Sequence, residues 1–293
     1  MRYKLCILCL SVTVLTVQGR VVSIETPRGL LLFMAVFRGG IMKKGALVLS
    51  LVYLLAVAAG CERSRGELRL AASSSLTDVL NECVRLYETE STDVKIVPVY
   101  GSAGSLQRQI ESGAPLDLFL SASVRNMDAL EQQGLIYPES RRDIVRNRLV
   151  LIVPAGETQS VSFKDLASDA VSGIAIGEPG SVPAGYYAKQ VLDTIEVYDA
   201  VYRKVVFAKN VRQVLYYVET GDVPAGIVYA SDAAGNMKVR ICAYADEGAH
   251  DRILYPGAVI SDSKNREQAL SFLQWLSGET ARGIFLEYGF GAL

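Results

Sequence analysis

Four short stretches of this 293-residue chain place small or hydroxyl-bearing residues where an apolar, β-type run gives way to a helical period. They are Ala71-Ala72-Ser73-Ser74-Ser75, Gly101-Ser102-Ala103-Gly104-Ser105, Val182-Pro183-Ala184-Gly185 and Lys209-Asn210-Val211. A helix that starts directly after a strand leaves its first backbone N–H groups unpaired, with a partial positive charge aimed at one spot. Such a spot holds an anion without any lysine or arginine. In the first stretch Ser75 reads as the N-cap of a helix carrying Leu76, Val79, Leu80, Cys83 and Leu86, with Asp78 in its first turn. In the last, Asn210 reads as a cap and Val211 as the first helical residue. Tyr229, closing the apolar run Ala225 to Tyr229, would add a phenolic donor.

Serine clusters also suit nucleophilic catalysis, so a serine hydrolase is the weaker alternative. The chain has one histidine, His250, in the loop-like stretch Glu247 to Asp251, and no Gly-x-Ser-x-Gly elbow. A triad would require that histidine to reach Ser75. No C-x-x-C pair or Cys/His cluster is present, which argues against a zinc site. Neither a cofactor nor a direct metal ligand is expected, and Cys83 and Cys242 read as buried free thiols.

The elements that must position these residues alternate in type. Strand-like runs end at Ala72, span Val94 to Tyr100, Leu116 to Ala122, Leu149 to Pro154, Gly173 to Gly177, Val205 to Ala208, Ala225 to Tyr229 and Leu254 to Ile260. Helical periods begin after Ser75, at Leu106, after Ala122, at Tyr187 and at Val211; Ser231-Asp232 could cap another. Ala269, Phe272, Leu273, Leu276, Ile284 and Phe285 mark a C-terminal helical pair. Strands alternating with helices imply an α/β fold with mainly parallel sheets flanked by helices. No linker separates the two series, so we expect two lobes joined at Leu149 to Pro154 and Ile253 to Ile260. Residues 67–148 plus 253–293 would form lobe I and 149–252 lobe II, with the ligand in the cleft between them, at the carboxyl ends of the strands.

The front end reads differently. Met42-Lys43-Lys44, an uncharged run from Gly45 to Gly60 and then Cys61 form a secretion-signal pattern. Ala58-Ala59-Gly60-Cys61 resembles a bacterial lipoprotein cleavage site, with Cys61 the lipidated residue, residues 42–60 the signal peptide and 61–66 the tether. Residues 1–41 then have no role, Arg20 to Ile41 shows no period suited to a core, and Met42 is the expected start. Without residues 1–61, which hold seven of the 30 basic residues and one of the 31 acidic ones, the formal charge moves from −1 to −7. No basic stripe remains for nucleic acid. An anion site here must work through local dipoles.

In order from about Leu68 to Gly291, these motifs resemble the periplasmic molybdate-binding proteins of ABC uptake systems. They are joined by Gln109-Ile110-Glu111-Ser112-Gly113-Ala114-Pro115-Leu116-Asp117-Leu118-Phe119-Leu120-Ser121-Ala122 and Gly226-Ile227-Val228-Tyr229-Ala230-Ser231-Asp232-Ala233. The resemblance implies a two-lobed, hinge-closing periplasmic-binding-protein fold whose cleft holds molybdate or tungstate, with sulfate or another tetrahedral oxyanion as the alternative. It implies an ABC permease as partner, a lipid anchor, a monomer, and a location in the periplasm or on the outer face of the cytoplasmic membrane. Carried over by position, the ligand contacts are Ser75, Ala103, Ala184, Val211 and Tyr229. Family members often have serine where this chain has Ala103; the N–H remains there and Ser102 is the neighbouring hydroxyl.

Overall fold

The computed structural model describes residues 66–91 and 94–293 throughout, together with the backbone of four strands within residues 3–35. The expected signal peptide and Cys61 lie outside the described residues. The chain divides into two compact units, residues 1–63 and 64–293. In the first, β1 (Tyr3–Ile7), β2 (Leu10–Val17), β3 (Val21–Glu25) and β4 (Leu31–Ala35) pair antiparallel in sequence order. Two of these strands fall in the segment for which no periodic element is expected.

The second unit holds two five-stranded sheets. One comprises β5 (Gly66–Ser73), β6 (Val94–Gly101), β7 (Leu118–Leu120), β8 (Arg142–Arg146) and β14 (Leu254–Val259), in the order β6-β5-β7-β14-β8. The other comprises β9 (Leu149–Pro154), β10 (Ile174–Gly177), β11 (Val205–Ala208), β12 (Gly226–Tyr229) and β13 (Val239–Tyr244), in the order β11-β10-β12-β9-β13. The two sheets repeat one plan: three parallel strands, then one antiparallel strand, then a second reversal. The chain passes between sheets twice, through Asn147-Arg148 before β9 and through residues 245–253 before β14.

The inner strands β7, β9, β10, β12 and β14 are buried on both faces, as strands covered by helices must be, while the edge strands β6, β8, β11 and β13 are partly exposed. Along β5, Leu68, Leu70 and Ala72 pack with α1 (Thr77–Glu90), while Ala71 faces the opposite cluster with Leu106, Phe119, Met127 and Leu130. That cluster joins α2 (Ala103–Glu111) and α3 (Val124–Gln132) to the sheet. The second sheet carries α4 (Pro183–Thr194), the short α5 (Tyr198–Tyr202), α6 (Val211–Glu219) and α7 (Ala230–Ala233). The expected C-terminal pair is α8 (Arg266–Leu276) and α9 (Glu279–Glu287), which bury Phe272, Leu273 and Phe285.

Four local expectations need correction. Ser75 does not cap α1: it sits inside a 3-10 turn, Ser74–Leu76, that precedes the helix. Helices α2 and α4 begin earlier than their apolar periods suggest, because Ser102 caps the first and Pro183 opens the second. Asp232 lies at the third position of α7, where it accepts the N–H of Tyr229, the residue before the helix, at 3.3 Å, so it helps close the start of the helix that contains it and does not precede one. Cys83 is buried and Cys242 only half-buried, and both are free.

Candidate functional site

Each sheet aims the carboxyl ends of its three parallel strands at the same place. One cavity is lined by Ser73, Ser74, Ser75, Gly101, Ser102, Ala103 and Ala122 from one sheet. Val182, Pro183, Ala184, Val211 and Tyr229 complete it from the other. All six residues singled out in the sequence, Ser75, Ser102, Ala103, Ala184, Val211 and Tyr229, are among them. None of the lining residues is charged.

Three local devices build the four helix starts. After β5, Thr77 Oγ1 donates to the Ser74 carbonyl at 2.7 Å and holds the 3-10 turn. After β6, Ser102 Oγ accepts the Ser105 N–H at 3.2 Å. After β10, Pro183 occupies the first helical position, where its missing N–H costs nothing. Gly185 then lets α4 press on β10, since a Cβ there would lie 1.9 Å from the Gly177 oxygen. After β11, Asn210 Oδ1 accepts the Gln213 N–H at 2.9 Å, so Asn210 is the cap its sequence suggests. Ala103, Ala184 and Val211 thereby occupy first turns, and Ser75 a 3-10 turn, positions whose N–H groups lack an intrahelical acceptor.

Tyr229 is 1% exposed, and its hydroxyl has no hydrogen-bond partner among the described residues. Burial pushes its phenol well above the usual tyrosine range, so it keeps its proton and remains a donor. A buried unpaired hydroxyl costs about 1–3 kcal/mol, which a ligand oxygen recovers. Tyr229 packs edge-on against Tyr255, with ring centres 5.9 Å apart.

Sequence reasoning missed the residues that support this wall. Tyr255 Oη lies 3.0 Å from Ser75 Oγ, and Asn147 Nδ2 lies 3.3 Å from the same phenol. Tyr255 belongs to an apolar strand, and no motif sets it apart there. Asn147 lies between two strands and reads only as a turn residue.

The lobes touch around the cavity. The Gly104 N–H donates to the Ser181 carbonyl at 3.1 Å, and the Arg125 guanidinium stands 4.1 Å over the Tyr186 ring. Arg212, next to Val211, pairs with Asp78 on α1 and reaches the Ser74 carbonyl at 3.4 Å. Behind it lies buried Asp232, whose carboxyl is pushed up to about 6 by burial, opposed by Arg212 3.4 Å away.

His250 does not line the Ser75 cavity. Its Nδ1 lies 2.7 Å from the Asp251 carbonyl, and it borders a separate cavity with Arg146, Arg148 and Arg252. The serine–histidine alternative therefore has no assembled pair. Among the described residues no group of three or more His, Cys, Asp or Glu side chains is placed to hold a metal ion. No described helix is long and apolar enough to cross a membrane.

Two sheets of one plan, facing each other across a shared cavity and joined by two short passages, define a two-lobed α/β binding protein. Residues 68–291 match the bacterial extracellular solute-binding protein family, and the chain belongs to it. It is 38% identical over 259 residues to a Bacillus subtilis chain described as a putative ABC transporter substrate-binding lipoprotein, YvgL, covering 85% of this chain and 99% of that one. It is 34% identical over 240 residues to the Escherichia coli molybdate-binding protein ModA, covering 80% and 93%. Among solved structures, one described as the substrate-binding domain of a putative molybdenum ABC transporter from Clostridium difficile is 40% identical, with a TM-score of 0.62 and coverage of 78% and 99%.

Proposed function

We propose that this chain captures a tetrahedral oxyanion, molybdate or tungstate, outside the cytoplasm and delivers it to an ABC permease. The observation that carries this reading is the Tyr229 hydroxyl, buried and unpaired at a cavity lined by helix starts and no charge. The 34% identity to a molybdate-binding protein supports the choice of anion. Contacts to the anion come from the N–H groups of Ser75, Ala103, Ala184 and Val211 and the hydroxyls of Ser75, Ser102 and Tyr229. Each donor is charge-assisted when desolvated and contributes roughly 1.5–3 kcal/mol.

A site of donors alone favours an anion that carries no proton. Hydrogen phosphate has an O–H that needs an acceptor, whereas sulfate passes this filter and is separated only by size. Residues 67–148 with 253–293 act as lobe I and 149–252 as lobe II, closing about Asn147-Arg148 and residues 245–253. The protein works as a monomeric carrier without enzymatic turnover. It is tethered by a lipidated Cys61 in the periplasm or on the outer face of the cytoplasmic membrane.

A thermal-shift panel of molybdate, tungstate, sulfate and phosphate tests the reading, because a tight ligand raises the melting temperature by mass action. Molybdate and tungstate should stabilise the protein most. A larger shift with sulfate would reassign it to sulfate transport, and no shift with any of the four would refute it.

A further inference from the structure

Asn147 occupies the two-residue link between β8 and β9, one of the two passages between the sheets. Its side chain is buried and touches both of them. Nδ2 lies 2.8 Å from Ser231 Oγ in α7 and 3.3 Å from Tyr255 Oη in β14. Oδ1 accepts the Arg148 N–H at 2.9 Å, which fixes the amide with its oxygen toward the backbone and its NH2 toward the two hydroxyls.

An amide nitrogen donates and does not accept. The Tyr255 oxygen is therefore the acceptor of that contact, and Ser75 Oγ, 3.0 Å away, is the hydrogen-bonded neighbour left to take the phenol proton. With its oxygen accepting from Tyr255, Ser75 has its own proton free to turn away from the phenol, and Ser75 lines the cavity. Proton direction thus runs one way, from the hinge amide through the phenol to the serine.

We propose that Asn147 is a specificity-determining positioning residue: by orienting the Tyr255 phenol it makes the Ser75 hydroxyl a donor into the cavity. The inference rests on the oxyanion reading of that cavity and extends it. Selection against a protonated anion requires that no hydroxyl lone pair face the ligand, and both serine and tyrosine hydroxyls can accept as well as donate. Asn147, which touches no ligand, removes that freedom at Ser75.

Asn147→Asp tests it with little change of shape. The ionised carboxylate this substitution introduces only accepts, so Tyr255 donates to it, Ser75 donates to Tyr255, and the Ser75 lone pairs turn toward the cavity. Above neutral pH molybdate and hydrogen phosphate both carry two negative charges. The added charge at this position therefore weakens both and cancels in the ratio of their dissociation constants. Competition calorimetry should show the wild-type preference for molybdate over hydrogen phosphate falling by roughly tenfold or more in Asn147→Asp. Tyr255→Phe, which leaves the Ser75 hydroxyl without a fixed neighbour, should lower the preference by about threefold. It decides the matter alone if Asn147→Asp does not fold, as judged by circular dichroism.

An unchanged preference in the folded variants overturns the inference while leaving the oxyanion site intact. Wild-type protein that binds neither anion overturns both. A purely structural role for Asn147 would lower the melting temperature of the ligand-free protein without moving the preference, and that result also counts against the inference.

Discussion

Two cavities of this molecule offer an anion opposite surroundings. The one beside the two passages between the sheets is bordered by Arg146, Arg148, Arg252 and His250, with Glu247 beside them. The one between the strand ends is bordered by no charge at all. Charge counting alone would send a dianion to the arginines. Yet Arg146, Arg148 and Arg252 are exposed, and exposed charges act through high-dielectric solvent, where they contribute little. In the neutral cavity the donors are fixed by the backbone and shielded from water. Their orientation is set before the ligand arrives, and a low local dielectric strengthens each contact. On the proposed oxyanion reading, preorganised dipoles from two sheets outweigh exposed charges on one surface.

The largest effect should come from removing a backbone donor without disturbing its helix. Val211 is the first residue of α6, and Asn210 before it is extended at φ −162° and ψ 168°, so a proline is sterically accepted there. Val211→Pro should weaken molybdate binding by about 1.5–3 kcal/mol in calorimetry while the ligand-free melting temperature stays near wild type. Tyr229→Phe should cost roughly 1–3 kcal/mol of binding and stabilise the ligand-free protein, because it deletes an unpaired buried hydroxyl. Lost affinity without that stabilisation would mean the hydroxyl has a partner in the free protein.

Gly104→Ala sharpens the contrast between closed and open lobes. A Cβ there would lie 2.7 Å from the Ser181 oxygen, across the cleft. Alanine also suits the first turn of α2 better than glycine, by up to about 1 kcal/mol. Melting temperature should rise slightly while molybdate affinity falls about tenfold, opposite signs that a simple packing defect would not produce. The smallest effect belongs to the charged cavity: the double substitution Arg148→Gln with Arg252→Gln should change molybdate affinity by less than about 1 kcal/mol. A loss of tenfold or more would move the site to the hinge.

Much of this arrangement is legible along the chain because its signals are local. Val- and Ile-rich runs mark the strands, Asn210 marks a helix start, and hydroxyl or small residues after each strand mark the cavity wall. Ser75 is legible as a wall residue but reads as a cap, since nothing local announces the 3-10 turn that moves the helix start to Thr77. The supports are not legible at all. Tyr255 meets Ser75 across 180 residues of chain and Asn147 across 108, contacts that exist only once β14 lies in the first sheet. Arg212 carries no local sign that it reaches Asp78, because the two lie 134 residues apart on helices that flank different sheets.

A crystal of the protein grown with tungstate, whose heavy metal scatters anomalously, tests most directly whether neutral dipoles hold the dianion. The expected result is one strong anomalous peak in the uncharged cavity, its oxygens within hydrogen-bonding distance of Tyr229 Oη and the amides of Ser75, Ala103, Ala184 and Val211. A peak among Arg146, Arg148 and Arg252, with nothing beside Tyr229, would contradict it.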